Sequence, residues 1–315
     1  MAEQARIAQL FAPLSVGVSG SFSLTDDAAV LDVPPGKQLV ITTDSVIEGI
    51  HVMNTASPEQ FAQKLVRRNL SDLAAMGATP WRYFLNLHSS GFVRKEWVAV
   101  FARTLAEEQA LFDMALAGGD SSSGGDRVHT TMTCLGLLEG PPLLRSTARV
   151  GDAVFVSGTI GDAALGLRIL QHQLHAPAVE AHLLMRYHRP EPRLALGQQL
   201  IGLATSCIDI SDGLLGDAQH IAQASGVGLA LETTAIPLSD AARQVVTDQP
   251  DLFLTLLGGG DDYELLFTAP PTMQTRLATL SEALALPLTR IGTVVVGNGL
   301  TLDGKPITPR GYEHA

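Results

Sequence analysis

The sequence predicts a two-domain protein of the α/β (α+β) class. Three observations support this: a length of 315 residues, a hydrophobic content of 46%, and an alternation of strand and helix signals in the second half. Domains typically contain about 100–200 residues, so the length favours two domains over one. The break Glu139-Gly140-Pro141-Pro142 and the polar segment Arg145–Gly151 interrupt the pattern. We therefore expect an N-terminal domain over residues 1–140 and a C-terminal α/β domain over residues 150–315.

The predicted elements are strands bounded by turn residues and helices with a period of about 3.6 residues. In the N-terminal half they are a short amphipathic helix at Met1–Leu14, strands at Val30–Val33 and Leu39–Thr43, a helix from Ser57 to about Met76, a strand at Trp81–His88, a helix over Lys95–Leu116 and a strand at Val128–Leu138. In the C-terminal half they are strands at Val154–Ser157, Ile208–Ile210, Leu229–Glu232, Tyr263–Thr268 and Ile291–Val296, and helices at Ala163–Gln171, Pro192–Thr205, Asp212–Ala224 and Met273–Leu284.

The first long helix has a signal at each end. Ser57 is a good N-cap, Pro58 fits the first helical position, and Gln60 can complete a capping box. Gly77 ends the helix, because glycine adopts the left-handed conformation common at helix C-termini. Local chemistry alone therefore predicts both boundaries.

Two polar residues of this helix fall on its apolar side. At about 100° per residue, Lys64, Arg67 and Arg68 occupy one half of the helix, whereas Asn69 and Asp72 lie among the apolar residues of the other half. A core-facing carboxylate is costly unless it is paired or binds a metal. Asp72 is therefore a candidate metal ligand; the alternatives are a buried cap or an ion pair with an arginine.

Charge and composition exclude several classes of protein. The chain has 21 Lys and Arg against 32 Asp and Glu, a net charge of −11, so we expect no binding to nucleic acid or to an anionic membrane surface. It has no apolar run of 18 residues, and its start lacks the features of a signal peptide. Cys134 and Cys207 form no metal-ligand or disulfide pattern. We therefore expect a cytoplasmic protein.

Acidic residues are concentrated in short segments of Gly, Ser, Thr and Asp between apolar runs. Carboxylates beside hydroxyl groups suit hard, oxygen-ligated cations such as Mg²⁺, although each segment alone could be a turn or a helix cap. Ser211 could cap the helix after it, and Gly118–Gly125 could form an anion-binding loop. The segments are Thr25-Asp26-Asp27, Thr42-Thr43-Asp44-Ser45, Asn69-Leu70-Ser71-Asp72, Gly118-Gly119-Asp120-Ser121, Asp209-Ile210-Ser211-Asp212-Gly213 and Gly259-Gly260-Asp261-Asp262.

These segments resemble the thiamine-monophosphate kinase family of the aminoimidazole-ribonucleotide-synthetase superfamily. They follow the family's order from near residue 26 to the C-terminus. The matching stretches are Asp26-Asp27-Ala28, Thr43-Asp44, Gly49-Ile50-His51, Asn69–Gly77, Gly118-Gly119-Asp120, Ile208–Leu214, Gly259–Leu265 and Gly311-Tyr312-Glu313-His314.

The resemblance implies a PurM-like fold and a direct, in-line phosphoryl transfer from ATP to thiamine monophosphate, giving thiamine diphosphate. It also implies several Mg²⁺ ions and a homodimer in which the N-terminal domain, which binds ATP and metal, pairs its sheet with that of a second subunit. Carried over by position, the metal ligands would be Asp27, Thr42, Thr43, Asp44, Asp72, Asp120, Asp209 and Asp212, of which Asp44, Asp72 and Asp212 would be catalytic. Gly119, Asp120, Arg145 and Ser211 would contact ATP, and His51, Asp261 and Tyr312 would bind thiamine monophosphate.

Two positions depart from the family pattern, and two alternatives stay open. Thr25 stands where the family usually has Gly, and Asp261 stands where it often has Glu. The alternatives are a sister enzyme such as aminoimidazole-ribonucleotide synthetase, and a non-catalytic nucleotide-binding homodimer. Selenophosphate synthetase and the hydrogenase-maturation relative depend on a terminal cysteine, whereas Cys134 and Cys207 are internal.

Overall fold

The computed structural model describes residues 3–89 and 93–308, and the chain divides into two compact units. Unit 1 contains residues 1–73 and 78–140, and unit 2 contains residues 74–77 and 141–315. Within the described residues, unit 1 has a four-stranded sheet and unit 2 a seven-stranded sheet, which confirms the mixed α/β class. Across the same ranges, no helix combines the length and apolar character needed to span a bilayer.

Unit 1 combines a mixed sheet with two long helices and one short helix. Its elements are α1 (Glu3–Arg6), β1 (Gln38–Ile47), α2 (Pro58–Met76, of which residues 74–76 are counted in unit 2), β2 (Thr79–Ser89), α3 (Lys95–Phe112), β3 (Ala115–Ser123) and β4 (His129–Leu138). The strand order is β1-β4-β2-β3. β4 runs antiparallel to β1 and β2, whereas β2 and β3 are parallel. Parallel neighbours need a crossover, and α3 provides it.

Helix α2 begins and ends as predicted, but its polar side is buried. The capping box is present: Ser57 N donates to Gln60 Oε1 at 3.0 Å, and Gln60 N donates to Ser57 Oγ at 3.3 Å. Lys64 and Arg67, which the helical period places on the half of the helix away from Phe61 and Leu65, are both fully buried. Arg67 Nε donates to Glu108 Oε2 of α3 at 2.8 Å, so α3 covers this side of the helix.

Three other predictions in this half need correction. The helical start continues past α1 as a π-helical turn at Ile7–Phe11 and a 3-10 turn at Ala12–Ser15, rather than as one helix. Val30–Val33 is not a strand; Val30 is 62% exposed, and no strand of the described ranges pairs with this segment. α3 ends at Phe112 rather than Leu116, because residues 115–123 pair with β2, and this tertiary pairing overrides helix propensity.

Unit 2 surrounds its sheet with helices on both faces. Its strands are β5 (Ala153–Ser157), β6 (Ser206–Asp209), β7 (Gly228–Leu231), β8 (Leu265–Ala269), β9 (Leu288–Val295), β10 (Gly299–Leu302) and β11 (Lys305–Ile307). Its helices are α4 (Asp162–Leu170), α5 (Glu180–His188), α6 (Leu194–Leu200), α7 (Leu214–Ser225), α8 (Asp240–Asp248), α9 (Leu252–Leu257) and α10 (Gln274–Leu284). The strand order is β11-β10-β7-β9-β5-β8-β6.

Three strands of unit 2 are buried along their whole length. Every residue of β5, β6 and β8 is buried. Alternate side chains enter two separate hydrophobic clusters: Val154 and Val156 belong to one, and Ala153 and Phe155 to the other. Burial on both faces explains why β5 and β8 read as nearly continuous apolar runs in the sequence.

The buried ion pair between α2 and α3 gives a test of stability. Replacing Glu108 with Ala leaves the Arg67 guanidinium without its carboxylate partner in the interior, so we expect a loss of about 3–5 kcal/mol of unfolding free energy. Glu107→Ala is the matched control, because the neighbouring Glu107 pairs with Arg103 on the surface at 3.9 Å and should cost less than about 1 kcal/mol. Urea unfolding measures both; equal losses would show that burial of the pair contributes nothing.

Candidate active site

Strand β1 and helix α2 bring three of the predicted metal ligands together in unit 1. Thr42 and Asp44 are two residues apart on β1 and therefore point to the same face of the sheet. Thr42 Oγ1 donates to Asp72 Oδ2 at 2.5 Å. Arg68, one helical turn before Asp72, donates from Nε to Asp44 Oδ2 at 2.7 Å and from Nη1 to the Ser45 carbonyl at 3.1 Å. Thr42, Asp44 and Asp72 thus form a compact oxygen-rich cluster.

An arginine of α2, Arg68, pairs with Asp44. Asp72 is half-buried and accepts a hydrogen bond from the Thr42 hydroxyl. The other polar residue on the apolar half, Asn69, is fully buried and donates from Nδ2 to the Leu65 carbonyl at 2.8 Å. Asn69 therefore has a structural contact within its own helix, and Asp72 faces the strand that carries Asp44.

Cys134 lies opposite Thr42 on β4 and is buried. Burial is the main cause that raises the pKa of its thiol, and the charges of Asp72 and Asp44 raise that pKa further. The thiol is therefore protonated at neutral pH. Because a thiolate is the reactive form of cysteine, Cys134 is not suited to act as a nucleophile.

Thr43 and His51 occupy separate positions around β1. The Thr43 side chain is on the sheet face opposite Thr42, where its hydroxyl lies 3.1 Å from Thr133 Oγ1. His51 lies in the turn after β1, and its Nδ1 accepts the Ile47 N–H at 3.1 Å. An accepting Nδ1 places the ring proton on Nε2, so this imidazole can donate a hydrogen bond from Nε2.

Three acidic residues line one cavity of unit 1. Asp26, Asp27 and Asp120 lie around a volume of about 450 Å³. Gly118 and Gly119 also line it, but they belong to β3, so the predicted anion-binding loop starting at Gly118 is wrong. Their main chain pairs with β2, and a Cβ at Gly119 would overlap the Leu85 carbonyl. Glycine is required here for the close approach of the two strands.

Unit 2 contains a second acidic cluster after β6. Asp209 ends the strand and is buried, and Ser211 and Asp212 follow in the loop. The prediction that Ser211 caps the next helix is wrong, because α7 begins at Leu214 with Gly213 as its N-cap residue. The loop is held instead by Asp217, whose Oδ2 accepts the Asp212 N–H at 3.1 Å.

Asp217 is a site residue that the sequence reasoning missed. It is 2% exposed, and the ligand atoms of Asp212, Asp217 and His220 lie within 4.8 Å of one another. Burial, followed by the charge of Asp209, raises the pKa of Asp217 to about 8. A signal was present: at about 100° per residue Asp217 lies next to Ile221, at the edge of the apolar side of α7.

The remaining predicted residues are dispersed. Arg145 is exposed, and its main-chain carbonyl accepts the Ser225 hydroxyl at 3.0 Å. Asp261 is half-buried, and its main-chain N–H donates to the Ser211 carbonyl at 2.9 Å, so Asp261 lies beside the Asp212 loop. Tyr312 lies outside the described residues.

Family descriptions match most of the chain. "AIR synthase related protein, N-terminal domain" matches residues 25–138, and "AIR synthase related protein, C-terminal domain" matches residues 149–305. Both matches confirm the expected PurM-like fold.

Individual relatives are similar over nearly the whole length. The chain is 38% identical over 312 residues to the thiamine-monophosphate kinase of Caulobacter vibrioides, covering 96% of this chain and 87% of that protein. The crystal structure of thiamine-monophosphate kinase from Stenotrophomonas maltophilia K279a superposes with a TM-score of 0.84 at 38% identity, covering 90% of this chain and 91% of that one. A structure described as AaThiL complexed with AMPPCP and TMP gives a TM-score of 0.80 at 31% identity, covering 96% and 94%.

The buried Asp217 predicts a pH dependence of stability. Its pKa is about 8 in the folded protein against 3.8 for an ordinary Asp, so between pH 4 and pH 8 the unfolded chain releases a proton that the folded chain keeps. Unfolding free energy should therefore fall as the pH rises through this range. Asp217→Asn keeps an acceptor oxygen and removes the titration, so urea unfolding at pH 5 and pH 8 in EDTA should show a smaller fall.

The exposed Asp248 provides the control for this comparison. Asp248→Asn should follow the wild-type dependence on pH. If Asp217→Asn also loses as much stability as the wild type between pH 5 and pH 8, Asp217 is already ionised in the folded protein.

Proposed function

The chain belongs to the thiamine-monophosphate kinase family, and on that premise we propose that it phosphorylates thiamine monophosphate with ATP, giving thiamine diphosphate. The observation that carries the proposal is the similarity to thiamine-monophosphate kinases over nearly the whole chain. The relative complexed with AMPPCP, an ATP analogue, and TMP supports the same pair of substrates.

The donor groups of both acidic clusters fit Mg²⁺, which prefers carboxylate and other oxygen ligands. Arg68 donates to Asp44 Oδ2, and because a carboxylate has two oxygens, Asp44 can still offer a second one to a cation. When bound, Mg²⁺ would neutralise charge on the phosphate oxygens during transfer. The proposed ligands are Asp27, Thr42, Thr43, Asp44, Asp72 and Asp120 in unit 1, and Asp209 and Asp212 in unit 2. Of these, Thr43 would bind through its main chain, because its side chain lies on the opposite face of β1 from Thr42.

The chemistry of the acceptor explains why no general base is needed. The second pKa of a phosphate monoester is about 6, so the attacking oxygen of thiamine monophosphate is already ionised at neutral pH. The obstacle to in-line transfer is repulsion between two anions, and the chain's own task is to hold its carboxylates in fixed orientations. Thr42 does this for Asp72, and Arg68 does it for Asp44.

The substrate contacts are proposed from the positions of the matching motifs. Gly119, Asp120, Arg145 and Ser211 would contact ATP, and His51, Asp261 and Tyr312 would bind thiamine monophosphate. The geometry of His51 supports its role, because a protonated Nε2 can donate to a phosphate oxygen. The Asp261 carboxylate would instead contact the thiamine moiety of the substrate, since a carboxylate repels phosphate and attracts the cationic thiazolium ring.

The direct test incubates the purified protein with ATP, Mg²⁺ and thiamine monophosphate and identifies the product by mass. We expect thiamine diphosphate, with none formed in EDTA. Asp44→Asn and Asp72→Asn should each lower turnover at least about 100-fold, because even partners of metal ligands contribute 10- to 100-fold. Asp248→Asn on the surface should have wild-type activity.

Parallel reactions separate this proposal from its alternatives. Turnover of an aminoimidazole-ribonucleotide precursor in place of thiamine monophosphate would identify a sister enzyme. ATP binding by calorimetry without any product would identify a non-catalytic nucleotide-binding protein. Wild-type rates in both Asp variants would refute the metal-ligand roles while leaving the overall reaction intact.

We also propose that the protein is a homodimer that pairs the sheets of unit 1. The face of β1 opposite α2 supports this, because Leu39 and Ile41 lie on it and are 37% and 61% exposed. Exposed apolar side chains grouped on one face are typical of an interaction surface.

An aspartate at position 41 tests the dimer. Ile41→Asp introduces a charge on the proposed interface, so light scattering should show a shift from twice the chain mass of 33.3 kDa to the single mass. Leu254→Asp is the control, because Leu254 is 60% exposed on α9 of unit 2 and should leave the mass unchanged. A wild-type protein of 33.3 kDa would rule out the dimer itself.

A further inference from the structure

The segment Asp261–Glu264 contains two buried carboxylates, Asp262 and Glu264. Asp262 is 1% exposed, and its carboxylate accepts the Gly161 N–H at the start of α4, at 2.9 and 3.0 Å. Glu264 is fully buried and receives Arg186 Nη2 at 2.9 Å together with both Arg193 and the Ser157 hydroxyl. These two buried carboxylates anchor the segment on either side of Tyr263.

The main chain of this segment is joined to the end of β6. Tyr263 N donates to the Ile210 carbonyl at 2.8 Å, and Asp261 N donates to the Ser211 carbonyl at 2.9 Å. A Cβ at Gly260 would overlap the Ser211 carbonyl, so the two backbones approach as closely as glycine allows. The loop that carries Asp261 is therefore fixed against the loop that carries Asp212.

Two residues of the segment have left-handed backbone angles. Asp261 has a φ of 70° and Tyr263 a φ of 51°. Aspartate tolerates this region better than most residues, whereas for a bulky tyrosine it is an outlier. Such strain persists only where the surroundings enforce it, and it is concentrated at functional sites.

The left-handed turn brings the Tyr263 hydroxyl onto the Asp261 side chain. Tyr263 is 2% exposed, and its hydroxyl donates to Asp261 Oδ1 at 3.0 Å. Asp261 itself is only half-buried. The buried ring thus fixes the orientation of a carboxylate that solvent and ligands can reach, and a neutral phenol leaves the negative charge on that carboxylate.

We propose that Tyr263 is a positioning residue that orients Asp261 toward the cationic thiamine part of the acceptor substrate. The inference rests on the proposed function, because it needs thiamine monophosphate as the acceptor. A hydrogen bond to a charged group has a substantial free energy, so loss of the Tyr263 hydroxyl should raise KM for thiamine monophosphate by about tenfold. KM for ATP and kcat should stay at their wild-type values, because Asp261 is proposed to contact thiamine monophosphate and not the nucleotide.

The experiment compares Tyr263→Phe with Tyr83→Phe in the full-length protein. Tyr83 is the matched control: it is fully buried on β2 of unit 1, and its hydroxyl donates to Gln109 Oε1 at 2.8 Å. KM for both substrates, kcat and Tm are measured for each variant. We expect similar losses of Tm in the two variants and a raised KM for thiamine monophosphate only in Tyr263→Phe.

A double-mutant cycle with Asp261→Ala shows whether the effect passes through that carboxylate. In the Asp261→Ala background, Tyr263→Phe should raise KM for thiamine monophosphate no further. The inference would be overturned if Tyr263→Phe left KM for thiamine monophosphate unchanged or raised KM for ATP equally. It would also be overturned if the two substitutions had additive effects in the cycle, or if Tyr263→Phe unfolded the protein and Tyr83→Phe did not. A wild-type protein that does not phosphorylate thiamine monophosphate would refute the proposed function, and the inference with it.

Discussion

The arrangement of the acidic groups depends on offsetting the repulsion between neighbouring carboxylates. Like charges a few ångströms apart destabilise a fold unless each has a donor of its own. The chain provides one for three of these carboxylates: Arg68 for Asp44, the Thr42 hydroxyl for Asp72, and a main-chain N–H for Asp217. Because these donors come from a regular helix, a regular strand and the loop that leads into α7, the oxygen atoms have fixed positions before any ligand binds. Pre-organisation of this kind lowers the free-energy cost of binding a cation.

Local patterns in the sequence predicted much of α2 and the part of the site on it. The capping box formed by Ser57 and Gln60 is present, and the helical period placed Asp72 on the core side, where it meets β1. The same period placed Arg67 on the polar half of the helix, and the structure buries that residue against Glu108. The period describes one helix and contains no information about α3, which is packed there by contacts between residues distant in the chain.

Two other features of the site, β3 and Tyr263, could not be predicted from local sequence patterns because they depend on tertiary structure. β3 was missed because Ala115, Leu116 and Ala117 favour a helix in isolation, and only pairing with β2 makes them a strand. Tyr263 was overlooked because its significance lies in a left-handed φ and a hydroxyl contact, neither of which composition reveals. By contrast, Asp44, Asp120 and Asp212 were found from segments of Asp with Gly, Ser or Thr, and their metal-binding roles stay predictions.

The position of β1 at the edge of its sheet has a consequence for the behaviour of the purified protein. In the described ranges β1 pairs with β4 alone, runs for ten residues and carries the exposed Leu39 and Ile41. A long, apolar border with unused main-chain donors and acceptors is a template for adding strands from other molecules. β11, at one edge of the sheet of unit 2, is only three residues long and contains Lys305 and Pro306, which discourage the addition of further strands. Aggregation should therefore begin at β1 in any chain that has not dimerised, and the proposed homodimer would protect the protein by covering this strand.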